Sequence, residues 1–248
     1  MDLSEIRDSN LRHPWETARA VAIEHILQTA KVRPEAVLDY GCGDGFTGER
    51  VLSAVRAKKL LGFDIHLTEA QCQAHSKAQV TYTNDWGSTA GQSFDLCLLC
   101  DVIEHVADDQ ALLGVVRERL KDDGRVLITV PAFQALFTSH DRALRHFRRY
   151  TLAQLESVIA AAGLELELSG YLFGSLLPGR AAAKALEALK PRPEVDDFGI
   201  GAWKGSRTVT SAIETLLGWD NSVLLGLASR GIKLPGLSAW ALCKKRPS

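Results

Sequence analysis

Apolar and polar positions along the first two thirds of the chain follow two periods, one typical of helices and one of strands. The segment 16–30 carries apolar residues at helical spacing, so we predict a helix with an apolar face formed by Val21, Ile23, Ile26 and Leu27. Short runs rich in β-branched and large apolar residues follow at intervals. They predict strands at 36–40, 60–65, 80–85, 94–101, 125–131 and 164–170.

Helical segments separate these strands. We predict them at 46–57, 70–78, 108–120 and 151–163. The last one opens with a capping box formed by Thr151 and Gln154, and Gly163 ends it. Strands that alternate with helices predict a parallel sheet with right-handed crossovers.

The alternation stops after residue 171. We predict a helix after Pro178, a loop at 191–205, two helices at 206–220 and 221–231, and a final strand at 237–245. The predicted fold class is α/β, a doubly wound, mostly parallel seven-stranded Rossmann-like sheet with a helical insertion before the last strand. The predicted divisions are an N-terminal helical cap (1–35), the Rossmann-like domain (36–171), the insertion (172–234), and the last strand with a basic tail (235–248).

Composition narrows the class of protein. A net charge of −1 gives no electrostatic reason to expect a nucleic-acid partner. No signal peptide and no apolar stretch of about 20 residues is present, so we expect a cytoplasmic protein without a transmembrane segment. Cys97 and Cys100 form a CxxC pair, but residues three apart on a strand face opposite sides, which argues against a shared zinc or disulfide.

The segment 37–45, "VLDYGCGDG", places three glycines directly after a predicted strand. A dinucleotide fingerprint requires a third glycine where this chain has Phe46, and the nucleoside-triphosphate pattern is also absent. Phosphate cradles normally avoid carboxylates, yet Asp39 and Asp44 flank this turn. The two acids favour a cationic ligand.

These residues resemble motif I of the class I S-adenosylmethionine-dependent methyltransferases. The resemblance extends in order over about 15–171 and the last strand, and includes "LLGFDI", "YTNDW", "FDLCLLCDVIEHV" and "LKDDGRVLITVP". It implies S-adenosylmethionine as cofactor, with Asp64 on the ribose hydroxyls and Asp85 near the adenine amine. The cofactor-binding residues that it implies are Asp39, Gly41, Gly43, Gly45, Asp64, Ile65, Asp85, Trp86, Cys100, Asp101 and Arg19. Two interpretations of Arg19 stay open: it pairs with the methionine carboxylate, or it is solvated on a helix that packs against the sheet.

The segment 138–151 follows the fifth strand and should reach the rim of the active site. His140 and Asp141 can form a general base and its orienting acid, and His105 is the competing base. Alternatively, Asp141 pairs with Arg148 or Arg149 and fixes the loop. His140, Asp141 and His146 lack the spacing of metal ligands, so we expect no metal.

The acceptor is expected to be a small molecule, methylated on a hydroxyl or an amine: a metabolite, sugar, natural product or lipid-linked compound. An apolar segment at 171–177, followed by Arg180 and Lys184, is a candidate acceptor cover, and 171–190 a candidate membrane-surface contact. Packing against the domain or a homodimer partner is the alternative. A non-catalytic S-adenosylmethionine-binding or scaffold protein, or an aminopropyl-type transferase, also stays open. A monomer and a homodimer are both possible.

Overall fold

The structure, a computed structural model, describes residues 12–189, 203 and 205–246. Seven strands form one sheet in the order β3-β2-β1-β4-β5-β7-β6. Their bounds are β1 Ala36–Tyr40, β2 Lys59–Phe63, β3 Val80–Thr83, β4 Phe94–Cys100, β5 Leu120–Pro131, β6 Leu164–Leu172 and β7 Ser238–Lys245. All neighbouring strands are parallel except β7, which is antiparallel to both β5 and β6. The predicted fold class is confirmed.

The helices connect the strands and cover both faces of the sheet. Their bounds are α1 Pro14–Thr29, α2 Phe46–Val55, α3 Glu69–His75, α4 Asp109–Glu118, α5 Ser139–Ala143, α6 Leu152–Ala161, α7 Leu177–Leu189 and α8 Arg207–Ala228. The capping box predicted at Thr151 and Gln154 opens α6, because the Thr151 hydroxyl accepts from the Gln154 amide and the Gln154 side chain accepts from the Thr151 amide.

Two hydrophobic cores lie on the two faces of the sheet. One contains apolar residues of α1, α2, α3 and α8, and the other contains those of α4 and α6. Cys97 faces the second core and Cys100 the first, as the strand geometry predicts. All five cysteines are free and buried.

The strand order reverses between β1 and β4, since β2 and β3 lie on one side of β1 and the later strands lie beyond β4. In open α/β sheets, ligands bind outside the carboxyl ends of the strands at such a reversal. The glycine turn after β1 and Asp101 after β4 both lie at this point. The topology therefore places the candidate site there.

The structure corrects several predicted elements. The two helices predicted at 206–220 and 221–231 are the single helix α8. The polar pair Asp220 and Asn221 does not break it: Asn221 is buried and accepts a hydrogen bond from the Phe173 amide at 2.9 Å. Val21 is 42% exposed and does not join the apolar face of α1. β5 begins at Leu120, the last residue of the helix predicted at 108–120, and it includes residues 121–124, which precede the strand predicted at 125–131.

Parts of the predicted domain divisions lie outside the described residues: 1–11 of the cap, most of the 191–205 loop, and the end of the basic tail. None of the helices in the described ranges is long and apolar enough to cross a membrane.

Candidate active site

The glycine turn depends on the absence of side chains at three positions. Gly41, Gly43 and Gly45 have φ angles of 76°, 55° and 80°, in the left-handed region that favours glycine. A Cβ on Gly41 would lie 2.6 Å from Val102 Cγ2, and one on Gly45 would overlap the Tyr82 ring. Glycine is therefore required here by the backbone conformation of the turn and by its packing against Val102 and Tyr82.

Asp64 lies directly after β2 and holds this turn. Its carboxylate accepts from the Gly43 amide at 2.9 Å through Oδ2 and from the His66 amide at 2.9 Å through Oδ1. Each carboxylate oxygen can accept more than one hydrogen bond. Asp64 can thus orient the turn and still accept from two hydroxyls of a ribose.

The two acids that flank the turn are not the free carboxylates that the sequence suggested. Burial raises the pKa of Asp39 to about 7, and its Oδ2 packs against Gly48. Asp44 forms an ion pair with Arg12, whose guanidinium lies 3.9 Å from the centre of the Phe46 ring. Both residues line the turn, but the charge of Asp44 is paired with Arg12 and burial disfavours the ionised form of Asp39.

Arg19 extends from α1 to the carboxyl end of β4. It is 3% exposed and forms an ion pair with Asp101, so the solvated alternative is wrong. Its guanidinium lies 4.5 Å from the centre of the Trp15 ring. Asp101 has a left-handed φ of 56° and accepts from the Thr129 hydroxyl at 3.3 Å. Burial raises the pKa of the neighbouring Cys100 thiol to about 12, which suits a packing role.

The predicted adenine-side residues surround the ends of β2 and β3. Ile65 is 72% exposed, an apolar side chain open to solvent beside Asp64. Asp85 is exposed and accepts from the Gly87 amide at 2.8 Å, capping a short turn. Trp86 packs with Tyr40 and Phe63, at ring-centre distances of 5.0 and 5.2 Å.

Asp141 is fully buried, and burial raises its pKa, but the hydrogen bonds with His146 and the Thr138 amide and the Arg149 guanidinium outweigh this and hold the pKa well below the usual range. Oδ1 lies 3.1 Å from His146 Nδ1 and accepts from Arg149 Nε at 2.7 Å. Oδ2 accepts from the Thr138 amide at 2.9 Å and from Arg180 at 2.8 Å.

The structure thus gives Asp141 a histidine partner that the sequence did not suggest. Asp141 hydrogen-bonds the ring of His146 and not that of His140. The alternative pairing with Arg149 is present, whereas Arg148 bonds Asp109 at 2.8 Å. Burial, with Arg180 nearby, lowers the pKa of His140.

A second group missed by the sequence reasoning lies next to this pair. His105 and His146 meet edge to face, with ring centres 4.5 Å apart. Glu104 is fully buried, and neither of its oxygens has a hydrogen-bond partner among the described residues. Ligating atoms of Glu104, His105 and His146 all lie within 4.8 Å of one another, a grouping that could hold a metal ion. The Phe147 amide donates to the Glu104 carbonyl at 2.8 Å and helps to bring these distant segments together.

The predicted apolar cover is partly a core segment. Tyr171 and Leu172 belong to β6, and with Phe173 they are at most 9% exposed. Tyr171 stacks on Phe133 with ring centres 5.2 Å apart. These three residues therefore belong to the hydrophobic cores of the domain.

The fold and this site define a class of protein: a doubly wound α/β protein whose candidate ligand site lies outside the carboxyl ends of β1, β2 and β4. The family described as "Methyltransferase domain" matches residues 15–169. The chain belongs to this family and is an S-adenosylmethionine-dependent methyltransferase, with S-adenosylmethionine as its cofactor.

Curated relatives include the ubiquinone biosynthesis O-methyltransferase of Azorhizobium caulinodans, 29% identical over 70% of this chain and 73% of the relative. The ubiquinone biosynthesis O-methyltransferase of Rhizobium etli is 28% identical over 56% of this chain and 64% of the relative. This second match therefore spans less than two thirds of the relative's length.

Two solved structures share the fold. The N-methyltransferase NodS of Bradyrhizobium japonicum, in complex with S-adenosylhomocysteine, is 17% identical with a TM-score of 0.53, covering 69% of this chain and 87% of NodS. A candidate sarcosine dimethylglycine methyltransferase of Galdieria sulphuraria is 16% identical with a TM-score of 0.54, covering 93% of this chain and 86% of the Galdieria chain.

Proposed function

We propose that the chain methylates a hydroxyl group of a small molecule. The observation that carries the proposal is the histidine group at the carboxyl end of the sheet, where His105 adjoins His146 and Asp141 bonds His146. A hydroxyl is a weak nucleophile until a base takes its proton, whereas a neutral amine needs no such base. The name of the O-methyltransferase relatives supports the same choice.

The cofactor lies, in this proposal, between the glycine turn and α1. Asp64 accepts from the ribose hydroxyls, Ile65 and Asp85 border the adenine, and Gly41, Gly43 and Gly45 allow close backbone contact. Arg19 pairs with the methionine carboxylate, beside Asp101. Asp64 is the residue on which binding depends most, because a charge-assisted hydrogen bond is about twice as strong as a neutral one.

The reaction is an in-line displacement at the methyl carbon. The bond from carbon to sulfur breaks with its electron pair going to sulfur, and the acceptor oxygen forms the new bond. The acceptor proton passes to an imidazole, for which we propose His105, with His140 as the alternative. Burial lowers the pKa of His140, which favours the neutral ring that a base requires.

The test is a panel of phenols, catechols, sugars and primary amines incubated with S-adenosylmethionine, with S-adenosylhomocysteine formation as the readout. With the best acceptor, His105→Ala should lower kcat about 100-fold or more, and His140→Ala should have a smaller effect. His25→Ala is the matched control, because His25 is exposed on α1. Turnover of amines alone would contradict O-methylation.

If neither histidine variant slows the reaction, catalysis occurs by positioning alone. Assays with EDTA and with added Mg²⁺ or Zn²⁺ test the expected independence of a metal, which a loss of turnover on chelation would contradict.

We further propose the cytoplasm as compartment, because all five cysteines are free. Membrane-surface contact through 171–190 stays a prediction. It is testable at two exposed apolar residues of this segment, Leu186 (66% exposed) and Leu189 (78% exposed).

A further inference from the structure

Helix α7 is attached to the domain through polar side chains. None of its residues is buried, so apolar packing contributes little to its attachment. Arg180, Lys184 and Glu187 follow at helical spacing and lie on one face. Lys184 Nζ donates to the Phe137 carbonyl at 2.5 Å, and Glu187 accepts from the Ser139 amide at 2.8 Å. This polar face anchors α7 on residues 137–142.

Arg180 differs from the other two anchors because it reaches a buried group. Its Nη2 donates to Asp141 Oδ2 at 2.8 Å and to the Thr138 hydroxyl at 2.7 Å. The other oxygen of Asp141 bonds His146, and the His146 ring packs against that of His105. A continuous series of contacts therefore runs from α7 to the proposed base.

The two oxygens of Asp141 have separate tasks. Oδ1 faces His146 Nδ1, and a carboxylate in this position favours the tautomer with the proton on Nδ1 and the free lone pair on Nε2. Oδ2 is fixed by Thr138 and by the Arg180 guanidinium. Without Arg180, the carboxylate loses a charged donor on that side and can turn towards Arg149, which shares Oδ1 with His146.

Arg180 also acts on the alternative base. The positive charge of Arg180 contributes, after burial, to the lowered pKa of His140. Asp141 acts in the opposite direction, and His146 and Arg149 add to the lowering. Arg180 thus influences both candidate bases from the helix next to the acceptor side.

We propose that Arg180 is a positioning residue that couples the docking of α7 to the orientation of the Asp141–His146 pair. The histidine group then has its reactive arrangement only when α7 is docked. This inference rests on the proposed function, in which one of these histidines takes the acceptor proton.

The experiment compares Arg180→Gln with Arg142→Gln. Arg142 is a matched control because it also links this segment to α7, through Glu187 at 3.4 Å, but does not bond Asp141. Side-chain NMR spectra of histidine-labelled protein report the ring nitrogens without any substrate. We expect Arg180→Gln to shift the His146 and His140 signals and Arg142→Gln to leave both in place.

Steady-state kinetics with the best acceptor of the panel supply a second readout. Arg180→Gln should lower kcat about 10-fold to 100-fold, with the KM for S-adenosylmethionine within about twofold of wild type. Arg180→Lys keeps a charge on the same face and should restore part of the kcat. If Arg180→Gln fails to fold, Arg180→Lys carries the comparison, because lysine lacks the guanidinium geometry.

Wild-type positions of the His146 signals in Arg180→Gln, or equal shifts in the Arg142→Gln control, would overturn the coupling. Shifted signals with an unchanged kcat would support the coupling and refute the proposed histidine base. The two failures are therefore distinguishable.

Discussion

The substitution Asp64→Asn tests the cofactor site most directly. Asp64 accepts from two backbone amides at 2.9 Å, those of Gly43 and His66, and we expect it to accept from two ribose hydroxyls as well. An asparagine keeps the size but has one oxygen and an NH₂ group, so one buried amide faces another donor.

The expected loss follows from the number of bonds. Hydrogen bonds to a charged group contribute about 1.5–3 kcal/mol each, so weakening two ribose bonds costs about 3 kcal/mol. At about 1.4 kcal/mol per factor of ten, the Kd for S-adenosylmethionine should rise about 100-fold. Isothermal titration calorimetry with S-adenosylmethionine and S-adenosylhomocysteine measures this change.

Asp95→Asn supplies the matched control. Asp95 also accepts from two backbone amides, those of Glu35 at 3.0 Å and Ala36 at 2.8 Å, but it lies at the amino end of the sheet. Both substitutions should lower the free energy of unfolding, whereas only Asp64→Asn should weaken binding. A folded Asp64→Asn protein with a Kd within about threefold of wild type would refute the assignment.

Three further predictions concern packing, protonation and thiols. Gly45→Ala should lower the free energy of unfolding in urea by about 1–3 kcal/mol more than Gly91→Ala does. Both glycines have a positive φ, but only a Cβ on Gly45 would meet the Tyr82 ring. Equal losses in the two variants would contradict this prediction. Burial raises the pKa of Glu104 from 4.5 to about 7. As the pH rises from about 4.5 to 7, the free energy of unfolding of the wild type should therefore fall relative to that of Glu104→Gln, by up to about 3 kcal/mol. The folded state binds more protons than the unfolded state in this window, and urea unfolding at several pH values checks the sign; parallel curves would contradict it. All five cysteines should resist Ellman's reagent in the folded protein and react in denaturant, because they are buried; rapid labelling of the native protein would show otherwise.

Local signals in the sequence were sufficient to predict the sheet and the glycine turn that follows β1. The alternation of strands and helices, the capping box at Thr151 and the glycine turn depend on neighbouring residues only. The ribose-binding role of Asp64 is implied by the family resemblance and stays a prediction. The sheet, the capping box and the turn after β1 are confirmed, because no distant contact has to be known to infer them.

The proposed catalytic group depends on contacts between distant segments. Asp141 bonds His146 in preference to the adjacent His140, and Arg180 reaches Asp141 from another helix. Asn221 remains within α8 because the Phe173 amide satisfies its side chain. Neither spacing nor composition contains this information, which arises only when the chain is folded.

The position of β7 has a consequence for biosynthesis. β7 lies between β5 and β6, and Leu164 of β6 pairs with Lys245 of β7. Among the strands of the described residues, β6 pairs with β7 alone, so it cannot join the sheet until the region around Lys245 has left the ribosome. A nascent chain that already contains the whole cofactor turn still exposes the free edge of β5, and such an edge favours aggregation. We therefore expect chaperone dependence to be greatest during synthesis of the α7–α8 segment.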